Sequence, residues 1–340
     1  MQWDPKMTKD NKTSSDSETE NTIFLEYKGN KSPHTLRRHE ADLAKFTEYL
    51  TEKELPVGDL FNDPPAWEDV NWHLVAGFQK WMLQQGYSVR TVNARLSAVK
   101  TYARLATRAG VLDEKTNGHI QSIEIYQRSA EKGRKLKRKG YKKPSPIELT
   151  VEQVRALKHQ PDTPQGHRDS LLMCLLIDHG LRPSEIADLQ IENFDLVNKA
   201  FSYYRPTTNS EVTQELTPDT LMAAKVYLAE IKTNQGPLLV GSKKSGQLTW
   251  RGLSTRAITK RIALLGIEVG YYREVEYTTP KKGKRKTRKF GTLSAYDCRN
   301  YAVTRDANSG RPLEWLMEKY GWTSQATPLN YIESDQIVRH

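Results

Sequence analysis

The chain has 340 residues, 37% of them hydrophobic and 27% charged, enough for two domain-sized cores. No apolar run approaches the roughly 18 residues of a membrane span, MQWDPKMTKD has no charged segment leading into an apolar stretch as a secretory signal would, and two cysteines, Cys174 and Cys298, cannot build a disulfide framework or a four-thiolate metal site. The net charge is +11, from 52 Lys+Arg against 41 Asp+Glu, which points toward an acidic partner.

In chain order, residues 1–21 are polar and Ser/Thr-rich and are expected to form a disordered tail. Over 22–130 the apolar spacing is helical. Leu43, Phe46 and Leu50 share one face, Leu74, Phe78, Trp81 and Met82 another, and Val92, Leu96, Val99, Ala103 and Ala106 a third. Ser88 fits the N-cap of the third helix and Gly110 its stop. Opposite that stripe Lys100, Arg104 and Arg108 recur every four residues, which is either a solvated helix face or a row of phosphate contacts. The segment reads as a compact four- or five-helix domain.

A basic linker is expected over 131–148. Its run from Lys132 to Lys143 holds eight basic residues, Arg134, Lys135, Lys137 and Arg138 among them, and closes on Pro144-Ser145-Pro146. A second run, Lys281 to Lys289, holds seven, including Lys284 and Arg285. Removing both leaves 52 − 15 = 37 basic against 41 acidic residues, so the positive field is local, as a nucleic-acid partner requires; a solvated loop or a localisation signal has the same composition.

The second domain is expected over 149–340. Thr150 and Gln153 have capping-box spacing. Leu171, Leu172, Leu175 and Leu176 mark a buried helix, and Phe201–Tyr204 and Val212–Leu216 read as two strands joined by a polar turn. Residues 237–249 read as a short apolar piece and a turn, and Tyr296–Tyr331 as mostly helical. In HGLRPSEIADL (179–189), Gly180 supplies a turn, Pro183 fits a first helical turn and Ser184 can satisfy an early N–H. Arg182 is thereby presented at a helix start, with Glu185 in i,i+3 reach to orient it for a bidentate grip on an oxyanion; a structural ion pair uses the same spacing. No His or Cys grouping suggests a metal site or a cofactor.

AYDCRNYAVTRDANSG (295–310), YGWTS (320–324) and NYIESD (330–335), with Arg182 and Glu185 upstream, resemble the C-terminal signature of the tyrosine recombinase (phage integrase) family. YSVRTVNARLSAVKTYARLATRAG resembles that family's core-binding domain, so the likeness covers roughly 22–340. The resemblance implies a mainly α fold with a small antiparallel β-sheet: a helical, SAM-like core-binding domain, then an α+β catalytic domain. It implies a site-specific recombinase or integrase that cuts and rejoins double-stranded DNA through a 3′-phosphotyrosine, needs no cofactor or metal, and assembles as a homotetramer on DNA, with a monomer when free and no membrane. Residue by residue, it makes Tyr331 the nucleophile, Arg182 and Arg299 the phosphate-binding pair, Trp322 a phosphate neighbour and Glu185 the positioning carboxylate. Such a protein is expected at the nucleoid of a prokaryotic or virus-infected cell, or in a eukaryotic nucleus.

Two positions depart from the family pattern. Tyr296 stands where a histidine is usual, and a phenol donates a hydrogen bond but accepts a proton poorly at neutral pH. The hairpin lysine expected to protonate the leaving oxygen is replaced by Thr207; nearby Arg205 gives up a proton poorly, and Lys199 precedes the strand. Slowed chemistry, a binding-only relative of the enzymes and a topoisomerase-like relaxing enzyme are therefore the competing expectations.

Overall fold

A computed structural model describes residues 14–55, 57–131, 147–231, 233–243, 245–278 and 285–331. The chain divides into two compact units, Met1–Tyr141 and Lys142–His340, with the division inside the expected linker. Arg134, Lys135, Lys137, Arg138 and Lys284 lie outside the described residues.

The first unit is helical: α1 (Ser14–Gly29), α2 (Pro33–Thr51), α3 (Trp72–Gln84), α4 (Val89–Arg108) and α5 (Glu114–Ser122). Helix α1 begins inside the segment expected to be a tail, because Phe24 provides an anchor the polar composition hides: it is 1% exposed and edge-on to Tyr102. The other stripes bury as spaced, with Phe46, Phe78, Leu96 and Val99 fully enclosed. Ser88 caps α4 by accepting from Thr91 N, and Gly110 ends it at φ +78°. The cationic row of α4 is not uniform. Arg104 and Arg108 are exposed, but Lys100 Nζ turns inward and donates to the carbonyls of Gln121 (2.8 Å) and Ile123 (2.5 Å) at the end of α5. Those carbonyls have no helical partner, so a cation there caps a helix C-terminus. Lys100 thus closes the fold rather than continuing the row.

The second unit is built round α7 (Pro164–Ile177), whose leucines are all buried, with α6 (Val151–Lys158), α8 (Pro183–Asp188), α9 (Pro218–Glu230), α10 (Thr255–Glu268), α11 (Ala295–Asn308) and α12 (Leu313–Tyr320). The Thr150/Gln153 capping box forms at α6. Strands β1 (Phe194–Asp195), β2 (Ala200–Arg205) and β3 (Ser210–Glu215) make one antiparallel sheet in that order, with Tyr203 opposite Val212 and Arg205 opposite Ser210. The apolar piece at 237–249 becomes a second hairpin, β4 (Val240–Ser242) with β5 (Leu248–Gly252). A third pair, β6 (Tyr272–Thr278) and β7 (Arg285–Gly291), flanks and includes part of the basic run from Lys281 to Lys289, where no strands were expected. The Lys/Arg-rich β7 carries no apolar alternation, and β6 alternates only briefly through Val275 and Tyr277, so the periodic signal is weak there.

Beneath the sheet, His179 is buried between Gln214 Oε1 (3.1 Å) and Thr220 Oγ1 (3.0 Å). Burial, opposed by the hydrogen bond to Gln214 and the charge of Asp178, pulls its imidazole down to about 4. The unfolded chain takes up this proton near the ordinary value of 6.5 while the folded chain does not. Stability from this group is therefore complete above about pH 6.5 and is lost as pH falls toward about 4, at roughly 1 kcal/mol per pH unit. Urea unfolding between about pH 7 and about pH 5 should show a flatter decline in His179→Gln than in the unsubstituted chain; parallel declines would remove His179 as the cause.

Candidate active site

The site forms where three elements meet the C-terminal end of α12. At the first, the chain leaves α7, turns at Gly180 (φ +64°) and starts α8 with Arg182 as N-cap and Pro183 in the first turn. Glu185, rather than Ser184, satisfies that start: its Oε2 accepts from Arg182 N (2.7 Å) and its Oε1 from Arg182 NH1 (2.8 Å). At the second, Arg299 projects from α11, donating through NH1 to Gly180 O (2.6 Å) and through NH2 to Tyr320 O. Arg182 NH2 reaches the same Tyr320 carbonyl at 3.4 Å. The two arginines expected to act together therefore converge on one backbone oxygen, though 117 residues (299 − 182) separate them.

The third element was not legible as functional. Arg205, at the end of β2, is 1% exposed. Its Nε donates to Glu185 Oε1 (3.1 Å), its NH1 to Glu318 O (2.9 Å), and its NH2 to Lys319 O (2.9 Å) and to the Tyr203 hydroxyl. The signal was an arginine on the inward face of a strand, in step with Phe201 and Tyr203. With these bonds made, Arg205 is a clamp and is not available as a proton donor to a leaving oxygen.

Among the described residues, three guanidiniums thus gather round one carboxylate, a balance of +3 − 1 = +2 from Arg182, Arg205, Arg299 and Glu185. Burial and then the like charge of Arg182 pull Arg299 down to about 10, which leaves it charged at neutral pH. A partly buried cluster of one sign is stabilised by a bound anion.

The aromatic residues line the same place. Trp322 stacks on Tyr320 (centroids 5.3 Å) and on Tyr331 (5.7 Å, 11° between planes), and the Arg299 guanidinium lies 5.7 Å from the Trp322 ring centre. Tyr331 follows a short 3-10 turn, Pro328–Asn330, which it closes by donating its N–H to Pro328 O (2.9 Å). Its phenol is half-buried, with the Tyr296 phenol as a neighbour. Burial first, then Tyr296, push the phenol up to about 12, with Arg299 pulling the other way. Tyr331 rests as a neutral phenol that must lose its proton to become a nucleophile. Tyr296 is 58% exposed at the first turn of α11.

Of the expected site residues, Arg182, Glu185, Arg299, Trp322, Tyr331 and Tyr296 come together. Thr207 lies in the exposed turn between β2 and β3, where Asn209 takes φ +49°. Lys199 sits at the other end of β2, about 17 Å away along a strand of this length. Lys289 rides over the Tyr272 ring at 3.9 Å in β6–β7. Among the described residues, no group of three or more His, Cys, Asp or Glu is placed to hold a metal ion.

Three further residues, Asp306, Lys319 and Arg305, hold Tyr320, whose carbonyl the arginines share. The Tyr320 hydroxyl donates to Asp306 Oδ2 (2.7 Å), and Lys319 Nζ donates to the same oxygen (2.6 Å). Arg305 holds Asp306 Oδ1 (2.8 Å) and caps the end of α7 through Asp178 O (2.9 Å). Gly180 lies under the Tyr320 ring, where an added Cβ would stand 2.6 Å from Cε1.

A helical unit followed by a mainly helical unit with small antiparallel sheets, carrying two arginines and a tyrosine at one site, defines a class, and the comparisons agree on it. The phage integrase family matches residues 148–336, and the phage integrase N-terminal SAM-like domain matches 22–110. The chain belongs to the phage integrase family. It is 32% identical over 186 residues to tyrosine recombinase XerC of Chlamydia muridarum (51% of this chain, 54% of that protein). It is 26% identical over 176 residues to tyrosine recombinase XerD of Staphylococcus aureus (51% of each). The chain thus spans about half the length of the curated relatives it matches. In fold it is similar to the Tn1549 transposon integrase in complex with transposon right end DNA, with TM-score 0.59 and 15% identity over 94% of this chain and 97% of that one. It is also similar to a lambda integrase dimer bound to a COC' core site, with TM-score 0.59 and 12% identity over 92% of this chain and 93% of that one.

Replacing Tyr320→Phe keeps the ring over Gly180 and removes the bond to Asp306. Urea unfolding should show a loss of about 1–3 kcal/mol, the range for a hydrogen bond to a buried charge. An unchanged midpoint would mean that Asp306 does not hold the carbonyl.

Proposed function

We infer that the chain is a site-specific DNA strand transferase that cuts and rejoins duplex DNA through a 3′-phosphotyrosine. The observation that carries this reading is the convergence of Arg182 and Arg299 on the Tyr320 carbonyl beside the Trp322–Tyr331 stack. A DNA phosphodiester would bring the anion that the +2 cluster lacks. The Tyr331 oxygen attacks phosphorus, the bond to the 5′ oxygen breaks, the phenol proton is given up, and the leaving oxygen takes one. Charge growing on the phosphoryl oxygens is met by two guanidiniums held in place beforehand, which lowers the barrier without reorganisation. Bond energy is kept in the phosphotyrosine, so rejoining needs no ATP.

The family relationship supports a recombinase acting on two DNA sites as a tetramer; a lambda integrase tetramer bound to a Holliday junction has a similar fold, with TM-score 0.56 and 12% identity. In the first unit Arg104 and Arg108 are the exposed candidates for phosphate contacts. Such a protein works where DNA is, at a nucleoid or in a nucleus.

The proton donor for the leaving oxygen is the weak point. Thr207 cannot serve, and Arg205 is fully bonded. Strand cleavage is therefore slow in this chain, since a positioned general acid contributes roughly 100- to 10,000-fold.

A nicked suicide duplex carrying the chain's own genomic flanks tests both parts. The chain should form a covalent adduct that Tyr331→Phe abolishes, and Thr207→Lys should speed its formation about tenfold or more. An adduct that survives Tyr331→Phe would overturn the nucleophile, and no gain from Thr207→Lys would overturn the account of slow cleavage.

A further inference from the structure

The β6–β7 ribbon builds no core of its own. Its seven registered pairs run from Tyr272↔Gly291 to Thr278↔Arg285, and it forms a two-stranded sheet. Only its root is embedded: an added Cβ at Gly291 would stand 1.7 Å from Ala263 O of α10, and Thr292 N donates to Tyr271 O (2.9 Å). From Arg285 to Phe290 every residue of β7 is exposed. A two-stranded ribbon without a core is marginally stable in water, so its retention is better explained by what it contacts.

Register sorts the ribbon's charges by face, because directly opposed residues point the same way. On one face Arg273 pairs with Phe290, Val275 with Arg288, and Tyr277 with Lys286. That face carries three cations and no carboxylate. On the other face Glu274 pairs with Lys289, Glu276 with Thr287 and Thr278 with Arg285, a balance of 2 − 2 = 0. A sequence serving solubility alone has no reason to segregate its charges in this way. The basic face is also ordered: the guanidiniums of Arg273 and Arg288 lie 5.1 and 5.2 Å from the Phe290 ring centre, so one ring positions both.

The ribbon is short-tethered to the active site. Four residue-to-residue steps (295 − 291) carry the chain from Gly291 to Ala295, the start of the helix that bears Tyr296 and Arg299. An extended chain of that length spans at most about 14 Å. A duplex whose phosphorus lay at Tyr331 would run close to the ribbon's root, and a two-stranded ribbon has the width of a major groove.

We propose that the face of β6–β7 bearing Arg273, Lys286 and Arg288 is a second DNA-contacting surface, gripping backbone phosphates of the duplex whose scissile phosphate lies at Tyr331. This rests on the strand-transferase reading and adds a contact surface to it. Duplex DNA is favoured over an acidic protein because the cations lie in a row along an extended ribbon, as phosphates do along a backbone.

The test is fluorescence anisotropy of the full chain with a labelled random-sequence duplex across a salt series. The triple variant R273A/K286A/R288A should bind roughly tenfold or more weakly. Its slope of log affinity against log salt should be shallower by about 2.7, three contacts at about 0.9 each. The matched variant on the other face, R285A/K289A, should change affinity less than the triple variant. If the triple variant melts early, K286E, at the exposed far end of the ribbon, takes its place, and should bind about threefold or more weakly. Unchanged affinity and slope in these variants, beside normal binding by the unsubstituted chain, would overturn the ribbon proposal alone and leave a protein partner as the ribbon's use. No duplex binding by the unsubstituted chain would overturn the strand-transferase reading together with it.

Discussion

The end of one short helix organises the candidate active site. The last carbonyls of α12 have no partner within the helix, and the peptide dipoles make that end negative. Three arginines from three separate elements donate to them: Arg205 to Glu318 and Lys319, the former shared with the Gly321 N–H, and Arg182 and Arg299 to Tyr320. The same bonds that finish the helix gather cations of one sign, with Glu185 as the carboxylate bonded to two of them. Among the described residues, cations thereby outnumber carboxylates at this point of the fold.

Close approach makes this possible. Gly321 adopts φ +61°, and an added Cβ would stand 2.4 Å from Arg205 Cδ; Gly180 is held as tightly under Tyr320. Two positions without side chains let the arginines and the tyrosine ring press against the backbone turns. Behind them a buried chain of polar groups runs from His179 through Gln214 to the Tyr203 hydroxyl and Arg205, so the β2–β3 sheet and the site share one hydrogen-bonded support. Fully satisfied polar networks of this kind fix geometry more than they add stability.

How much of this was readable in the sequence follows from what each residue depends on. The apolar stripes of the first unit, the leucines of α7 and the caps at Ser88 and Thr150 are local signals, and they were legible because periodicity and capping act within a few residues. Arg182, Arg299, Trp322 and Tyr331 could be named from motif order, but their meeting point, the Tyr320 carbonyl, is a backbone atom with no sequence signature. Arg205 was read only as a poor substitute acid, since a guanidinium holds its proton; its clamp role was hidden because its burial depends on α12, more than 100 residues away (318 − 205 = 113). Lys100 looked like one of a row until α5 brought its carbonyls alongside. The β6–β7 ribbon was not read as strands because its few apolar residues, Val275, Tyr277 and Phe290, share their face with three cations, which blurs the alternation.

The central claim is that two guanidiniums share one backbone phosphate directly in front of the tyrosine. A crystal structure of the Tyr331→Phe chain with duplex DNA measures this most directly. The account predicts one phosphate with oxygens within about 3 Å of both Arg182 and Arg299, facing the substituted ring. Two arginines on different phosphates, or a guanidinium turned away from DNA, would contradict it.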